Sequence, residues 1–310
     1  MALEPRPRPA RCIQTRVGCA YCGMNVTYRS LRAVLATALM GCTLGAAAHD
    51  TWFMPLPALR PGELRLALGT GDRFPTQEYA IDPKFLVRRG CNSHAPGPFG
   101  ALRAEQTTAT ALVLRAPASA RSCWAQLTPF QLTLEADKVP VYLKEVNASA
   151  ELRATWAAMQ ARGLPWNETY TKHARINLGD VSAQSAEPSG MVMDMLLEAA
   201  PGPLRVRDTA VVQVLREGCP MAGFSVELVG ELSPLGLWKQ TDDQGRVTVQ
   251  PPFPGRWILR GIDLVRSANR PDEWDSRFVT LAFDVVPAAP VAPAAAPAAP
   301  ATAPPPPLPP

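Results

Sequence analysis

Phe224-Ser225-Val226-Glu227-Leu228-Val229 reads as a β-strand. The turn Thr241-Asp242-Asp243-Gln244-Gly245-Arg246 follows, and then Val247-Thr248-Val249 resumes extended chain. The same grammar surrounds this unit. Val211-Val212-Gln213-Val214-Leu215 is a strand that runs into the turn Glu217-Gly218-Cys219-Pro220. Gly255-Arg256-Trp257-Ile258-Leu259-Arg260-Gly261 and the segment 278–285 close the set. Short strands at this spacing, separated by Gly and Pro turns, predict a β-sandwich over residues 188–286.

Residues 49–187 predict a second β-rich module. Glu63-Leu64-Arg65-Leu66-Ala67-Leu68 alternates polar and apolar residues, the mark of a half-buried strand. Pro61-Gly62 precedes it, and Gly69-Thr70-Gly71-Asp72 follows with turn chemistry. Residues 110–115 and 130–135 read as further strands. One helix interrupts them over 149–162. Ser149 is its cap, Leu152, Trp156 and Met159 form its apolar face, and Gly163 and Pro165 end it. The expected fold is therefore mainly β: two β-sandwich modules, immunoglobulin-like or transthyretin-like, with one helix in or after the first.

The ends of the chain read differently. Arg29 and Arg32, the apolar run 33–40 and small residues up to Ala48 have the order of a secretory signal peptide. The stretch is too short and interrupted for a membrane span, which needs roughly 20 apolar residues. Met24 reads as the true start, which makes residues 1–23 an over-long extension and residues 24–48 the signal. Cys12 and the pair Cys19 and Cys22 fall in that extension, so no zinc or redox role is assigned to them. Leu39-Met40-Gly41-Cys42 offers a rival route, a lipid anchor on Cys42. Residues 287–310 are almost entirely Pro and Ala, a composition that buries no core and predicts an extended, disordered tail.

Charge excludes one class of partner. Six of the 31 Lys and Arg residues and one of the 27 acids precede His49, which leaves 25 bases against 26 acids in the mature chain. Nucleic acid needs a basic footprint that such a chain lacks. Of the seven cysteines, Cys91, Cys123 and Cys219 survive processing. In an oxidising periplasm two of them are expected to pair. Cys91 and Cys123 flank one strand-rich segment and are the expected couple, with Cys219 free.

The mature start His49-Asp50-Thr51-Trp52-Phe53 resembles the His-Asp-aromatic start of a secreted bacterial family, domain of unknown function 4198. The resemblance extends through Gly218-Cys219-Pro220-Met221-Ala222-Gly223-Phe224-Ser225-Val226, the 241–246 turn and Pro254-Gly255-Arg256-Trp257. Tyr170-Thr171-Lys172-His173-Ala174-Arg175 is similar to a family stretch between the two halves. The family is related to periplasmic components of nickel and cobalt uptake. The resemblance thus implies a periplasmic, non-catalytic protein that handles metal ions, with a membrane transporter component as a partner.

The residues supply their own argument for a metal. Cleavage after Ala48 leaves His49 with two nitrogen donors on one residue, its α-amine and its ring. Copper(II) and nickel(II) favour planar nitrogen-rich arrays. His173, because it sits in the stretch that resembles the family, is the expected third nitrogen, Asp50 an oxygen donor or a support for the ring, and His94, in a loop, a further candidate. The expected cofactor is a divalent transition metal: nickel, cobalt or copper. Two alternatives stand beside metal uptake or sequestration. One is a structural or partner-binding sandwich without metal. The other is a copper-dependent oxidase or oxygenase using a histidine brace. No Gly-x-Ser-x-Gly or His-Glu-x-x-His motif is present, and no enzyme is expected.

Overall fold

The computed structural model describes residues 49–93, 99–179, 186–198 and 202–289. The leader with Met24 and Cys42, His94, and the tail beyond residue 289 lie outside the described residues. The N-terminal half contains β1 (Asp50–Leu56), β2 (Leu64–Gly71), β3 (Tyr79–Ala80), β4 (Leu86–Ser93), β5 (Arg103–Thr107), β6 (Leu112–Ala116), β7 (Ala120–Leu127), β8 (Phe130–Leu134), α1 (Val139–Glu145), α2 (Ala150–Ala161) and β9 (Trp166–Asn177). The C-terminal half contains β10 (Met193–Leu197), β11 (Ala210–Arg216), β12 (Cys219–Pro220), β13 (Ser225–Gly230), β14 (Ser233–Gln240), β15 (Arg246–Val249), β16 (Gly255–Arg266) and β17 (Trp274–Val285).

One large sheet organises the molecule, in the order β14-β13-β16-β17-β9-β7-β4, with β8 also paired to β9. The halves meet where β17 and β9 pair in parallel, His173 opposite Val279. A sheet thus crosses between the two expected modules. Alternation along β17 shows how each face is covered. Val279, Leu281, Phe283 and Val285 join the core under the sheet of β10, β11, β12 and β15. Phe278 and Ala282 point the other way, towards the helices and towards the sheet β1-β2-β6-β5. Two sandwiches therefore share a central layer.

β1 runs where the layers converge. Phe53 lies in one core, and Trp52 and Met54 lie in another with Val229 and Ile258. A strand buried on both faces needs a continuous apolar run rather than alternation, and Trp52-Phe53-Met54 provides one. Burying side chains of this size stabilises by about 1.5–3 kcal/mol each. Thr280 Oγ1 donates to the Thr51 carbonyl at 2.6 Å, and Gln77 Nε2 donates to the Trp52 carbonyl at 2.8 Å. These bonds fix the strand that carries His49.

The helix over 149–162 is present as α2, with the Ser149 hydroxyl accepting from the Leu152 N–H at 3.2 Å and Trp156 and Met159 buried. Among the described residues it is one of two α-helices, not one alone. In α1, Val139, Tyr142 and Leu143 face the core. The β-branched Val139 and Val141 around Pro140 mask this helix in sequence, although a proline is well tolerated in a first turn. Both helices pack on an aromatic cluster in which Trp166 stacks on Trp274 with centroids 4.4 Å apart.

Cys91 and Cys123 face each other across β4 and β7 and form the expected disulfide. Cys219 is not the free thiol expected. It too is disulfide-bonded. Among the described residues no helix is long and apolar enough to cross a membrane.

Candidate functional site

His49 stands at the start of β1, and the β1–β2 hairpin selects its neighbour. Asp50 pairs with Gly71 in an antiparallel register, which carries residue 49 opposite residue 72 one step further out. His49 Nε2 lies 2.9 Å from Asp72 Oδ1. The short pairing of β3 with β2 then brings Glu78 alongside, its N–H bonded to the Thr70 carbonyl at 2.8 Å. His49, Asp72 and Glu78 each place a ligand atom within 4.8 Å of the others. Asp72 and Glu78 are exposed and His49 is half-buried, with its ring edge-on to Tyr79 at 5.4 Å.

The contact with Asp72 has a chemical consequence. A proton on Nε2, directed at that carboxylate, leaves Nδ1 of a neutral ring its lone pair. Nδ1 is the nitrogen able to close a chelate ring with the α-amine of the same residue. A carboxylate that orients and polarises a ligating imidazole from its other nitrogen is a recurrent arrangement in metal sites.

Asp50 is placed elsewhere. It is buried, and its Oδ2 accepts from Arg260 Nη1 at 2.7 Å. Arg260 also bonds Glu227, with Nη2 2.7 Å from Oε2. Burial works against the Arg260 charge, but the two carboxylates outweigh it and raise its pKa. Asp50 therefore anchors β1 to β16 and holds the strand beneath His49 in register. Its Oδ1 is buried without a hydrogen-bond partner among the described residues. It borders a cavity of about 300 Å³ that Asp72, Arg73, Glu145 and Arg260 also line.

His173 is not brought to His49. Its neighbour Lys172 lines a pocket with His49, and strand alternation sends His173 through to the opposite face of the central sheet. There it is 1% exposed, and its Nδ1 lies 2.9 Å from the Phe278 carbonyl. A carbonyl only accepts, so Nδ1 carries the proton, and Nε2 is left buried without a partner among the described residues. Burial lowers the pKa of His173 to about 4, against a smaller raising effect of that hydrogen bond. The imidazole is a neutral packing element at neutral pH. His94 lies outside the described residues.

Residues 46–261 match the family described as Domain of unknown function (DUF4198). The chain belongs to that family. The DUF4198 match includes His49, Asp72, Glu78 and Lys172, and so takes in the whole terminal cluster together with β9. No curated protein matches the chain. Among solved structures, the D0-D1 domain of Intimin is similar at 10% identity, over 76% of this chain and 97% of that one. Its TM-score of 0.19 is too low to support any argument.

Asp72 and Glu78 were not among the ligands expected from sequence. Asp72 sits in a stretch that reads only as a turn, and the signal that finds it is the hairpin register from Asp50 to Gly71.

Proposed function

We propose that this DUF4198 protein is a secreted, non-catalytic binder of a divalent transition metal, acting in uptake or sequestration. The observation that carries the reading is the contact between His49 Nε2 and Asp72 Oδ1, with Glu78 in reach. Once the leader is removed after Ala48, the α-amine and Nδ1 of His49 form a two-nitrogen chelate on one residue. Asp72 steadies the ring, and Glu78 supplies an oxygen. This donor set suits copper(II) or nickel(II). The Cys91–Cys123 disulfide supports an oxidising compartment such as the periplasm, from which the ion would pass to a membrane transporter component.

Calorimetry of the protein beginning at His49 tests this near neutral pH, with copper(II) and then nickel(II). One ion should bind per chain. Asp72→Ala should weaken binding roughly 10- to 100-fold, the usual effect of losing the carboxylate behind a ligating histidine. An Ala-Ser extension before His49 should weaken it at least as much, because it turns the amine into an amide. His173→Gln should leave it unchanged. Absence of uptake by the processed protein, or full affinity in the extended one, would overturn the reading.

A further inference from the structure

Beside the His49 ring lies a pocket of about 300 Å³ that the metal reading does not use. Tyr79, Phe85, Phe130, Tyr170 and Lys172 line it with His49. The aromatic wall is continuous. Phe85 meets Phe130 edge-on at 5.1 Å, and Phe130 stacks on Tyr170 at 5.4 Å. Lys172 is the anomaly. It is only 9% exposed, and among the described residues its ammonium has neither an ion pair nor a hydrogen bond. Two ring faces lie near it, Tyr170 at 5.6 Å and Phe278 at 6.0 Å from Nζ. An ammonium withdrawn from water without an acceptor is costly, and the arrangement persists only where something compensates it.

We propose that this pocket binds a small organic carboxylate with an apolar, ring-sized body, its carboxylate on Lys172 Nζ and its body against Phe85, Phe130 and Tyr170. The chemistry matches at both ends. A flat apolar body finds aromatic faces, and the carboxylate supplies the acceptor that Lys172 lacks. Asp82 at the rim does not compete, because Lys84 Nζ pairs with it at 2.8 Å. Asp50, whose charge favours that of Lys172, is already held by Arg260. Burial lowers Lys172 to about 8, so the cation remains available at neutral pH. The pocket stands apart from the metal: its anion-binding group is Lys172, and His49 contributes only part of the wall.

The probe is benzoate, added to metal-free protein in the presence of a chelator and followed by calorimetry and by ring-proton NMR of the ligand. Benzoate should bind saturably at one site per chain. Benzamide, which has the same shape and no charge, should bind at least tenfold more weakly. Lys172→Met should cut benzoate affinity at least tenfold, and Lys172→Arg should retain part of it. Equal binding of benzoate and benzamide, unchanged affinity in Lys172→Met, or no saturable binding would overturn the proposal. Binding only after copper(II) or nickel(II) is restored would overturn it too, and would leave the metal reading standing.

Discussion

Residues 172 and 175, three apart on β9, place a cation in the interior in two opposite ways. Arg175 is completely buried and fully met. Its Nε and Nη2 bond the two Asp194 oxygens at 2.8 Å each, Nη1 bonds the Ser122 hydroxyl at 2.9 Å, and Nη2 reaches the Glu187 carbonyl at 3.2 Å. Asp194 in turn accepts from the Ser189 N–H and hydroxyl. Lys172, on the other face, has aromatic rings around it and, among the described residues, no hydrogen-bond acceptor. The planar fork of arginine suits a closed, two-pronged site, and a lysine is a single point charge. A charge with every partner in place belongs to the framework, while a charge left wanting points to something the chain binds.

The largest effect should come from breaking the closed centre. Arg175→Met leaves the Asp194 carboxylate buried among its remaining donors. Removing one partner of a buried pair costs about 3–5 kcal/mol. The pair also ties β9 to β10, so the loss falls on the junction of the two halves. Urea denaturation should show the drop. The double variant Arg175→Met with Asp194→Leu should recover much of it, because no charge then remains unpaired. Full stability in the single variant would mean that the closed centre is not structural.

His173 sharpens the contrast through pH, since it shares the closed face with Arg175. Its pKa falls to about 4 from an ordinary 6.5, chiefly by burial. Between those values the unfolded chain holds a proton that the folded chain refuses, so stability rises with pH. The contribution is complete above pH 6.5 and is lost as pH falls towards 4. Its full size is roughly 3 kcal/mol at about 1.4 kcal/mol per pH unit. Glu168 opposes it in part. Burial raises the pKa of that carboxyl despite donors from Tyr142 and Trp166 at 2.8 Å and from Ser276. The wild-type curve minus that of His173→Gln isolates the histidine. A flat difference between pH 4 and 6.5 would show that the ring is wet.

How much of this was legible in sequence follows from the range of each interaction. Ser149 and the 152, 156 and 159 spacing gave α2, because capping and helical periodicity are local. The turns at 217–218 and 241–246 gave the C-terminal strands for the same reason. The parallel pairing of β9 with β17 is not local. It joins residues more than 100 positions apart, and no alternation pattern announces it. The site divides the same way. His49 is visible from its place after Ala48, whereas Asp72 needs the hairpin register. His173 was expected as a ligand from the stretch that resembles the family, and the face of β9 on which it sits cannot be read from its neighbours in sequence. Lys172, one residue away, turned out to share the pocket with His49.

The smallest effect decides whether the open centre differs in kind. At pH 7 Lys172 is below both its folded value of about 8 and its ordinary 10.5, so its buried charge costs stability. Taken at face value the difference is worth roughly 3 kcal/mol, but a flexible ammonium at a pocket wall recovers part of that by reaching for water. Lys172→Met should therefore be more stable than wild type by about 1 kcal/mol at pH 7, a sign opposite to that of Arg175→Met. The gap should close as pH rises from 8 to 10.5, because the unfolded wild-type chain holds a proton there that the folded chain has released. Thermal melts of the two proteins at pH 7 and pH 10 measure both. Binding sites commonly sacrifice stability in this way. A destabilised Lys172→Met at pH 7 would instead make Lys172 part of the framework, and the distinction between the two faces of β9 would fail.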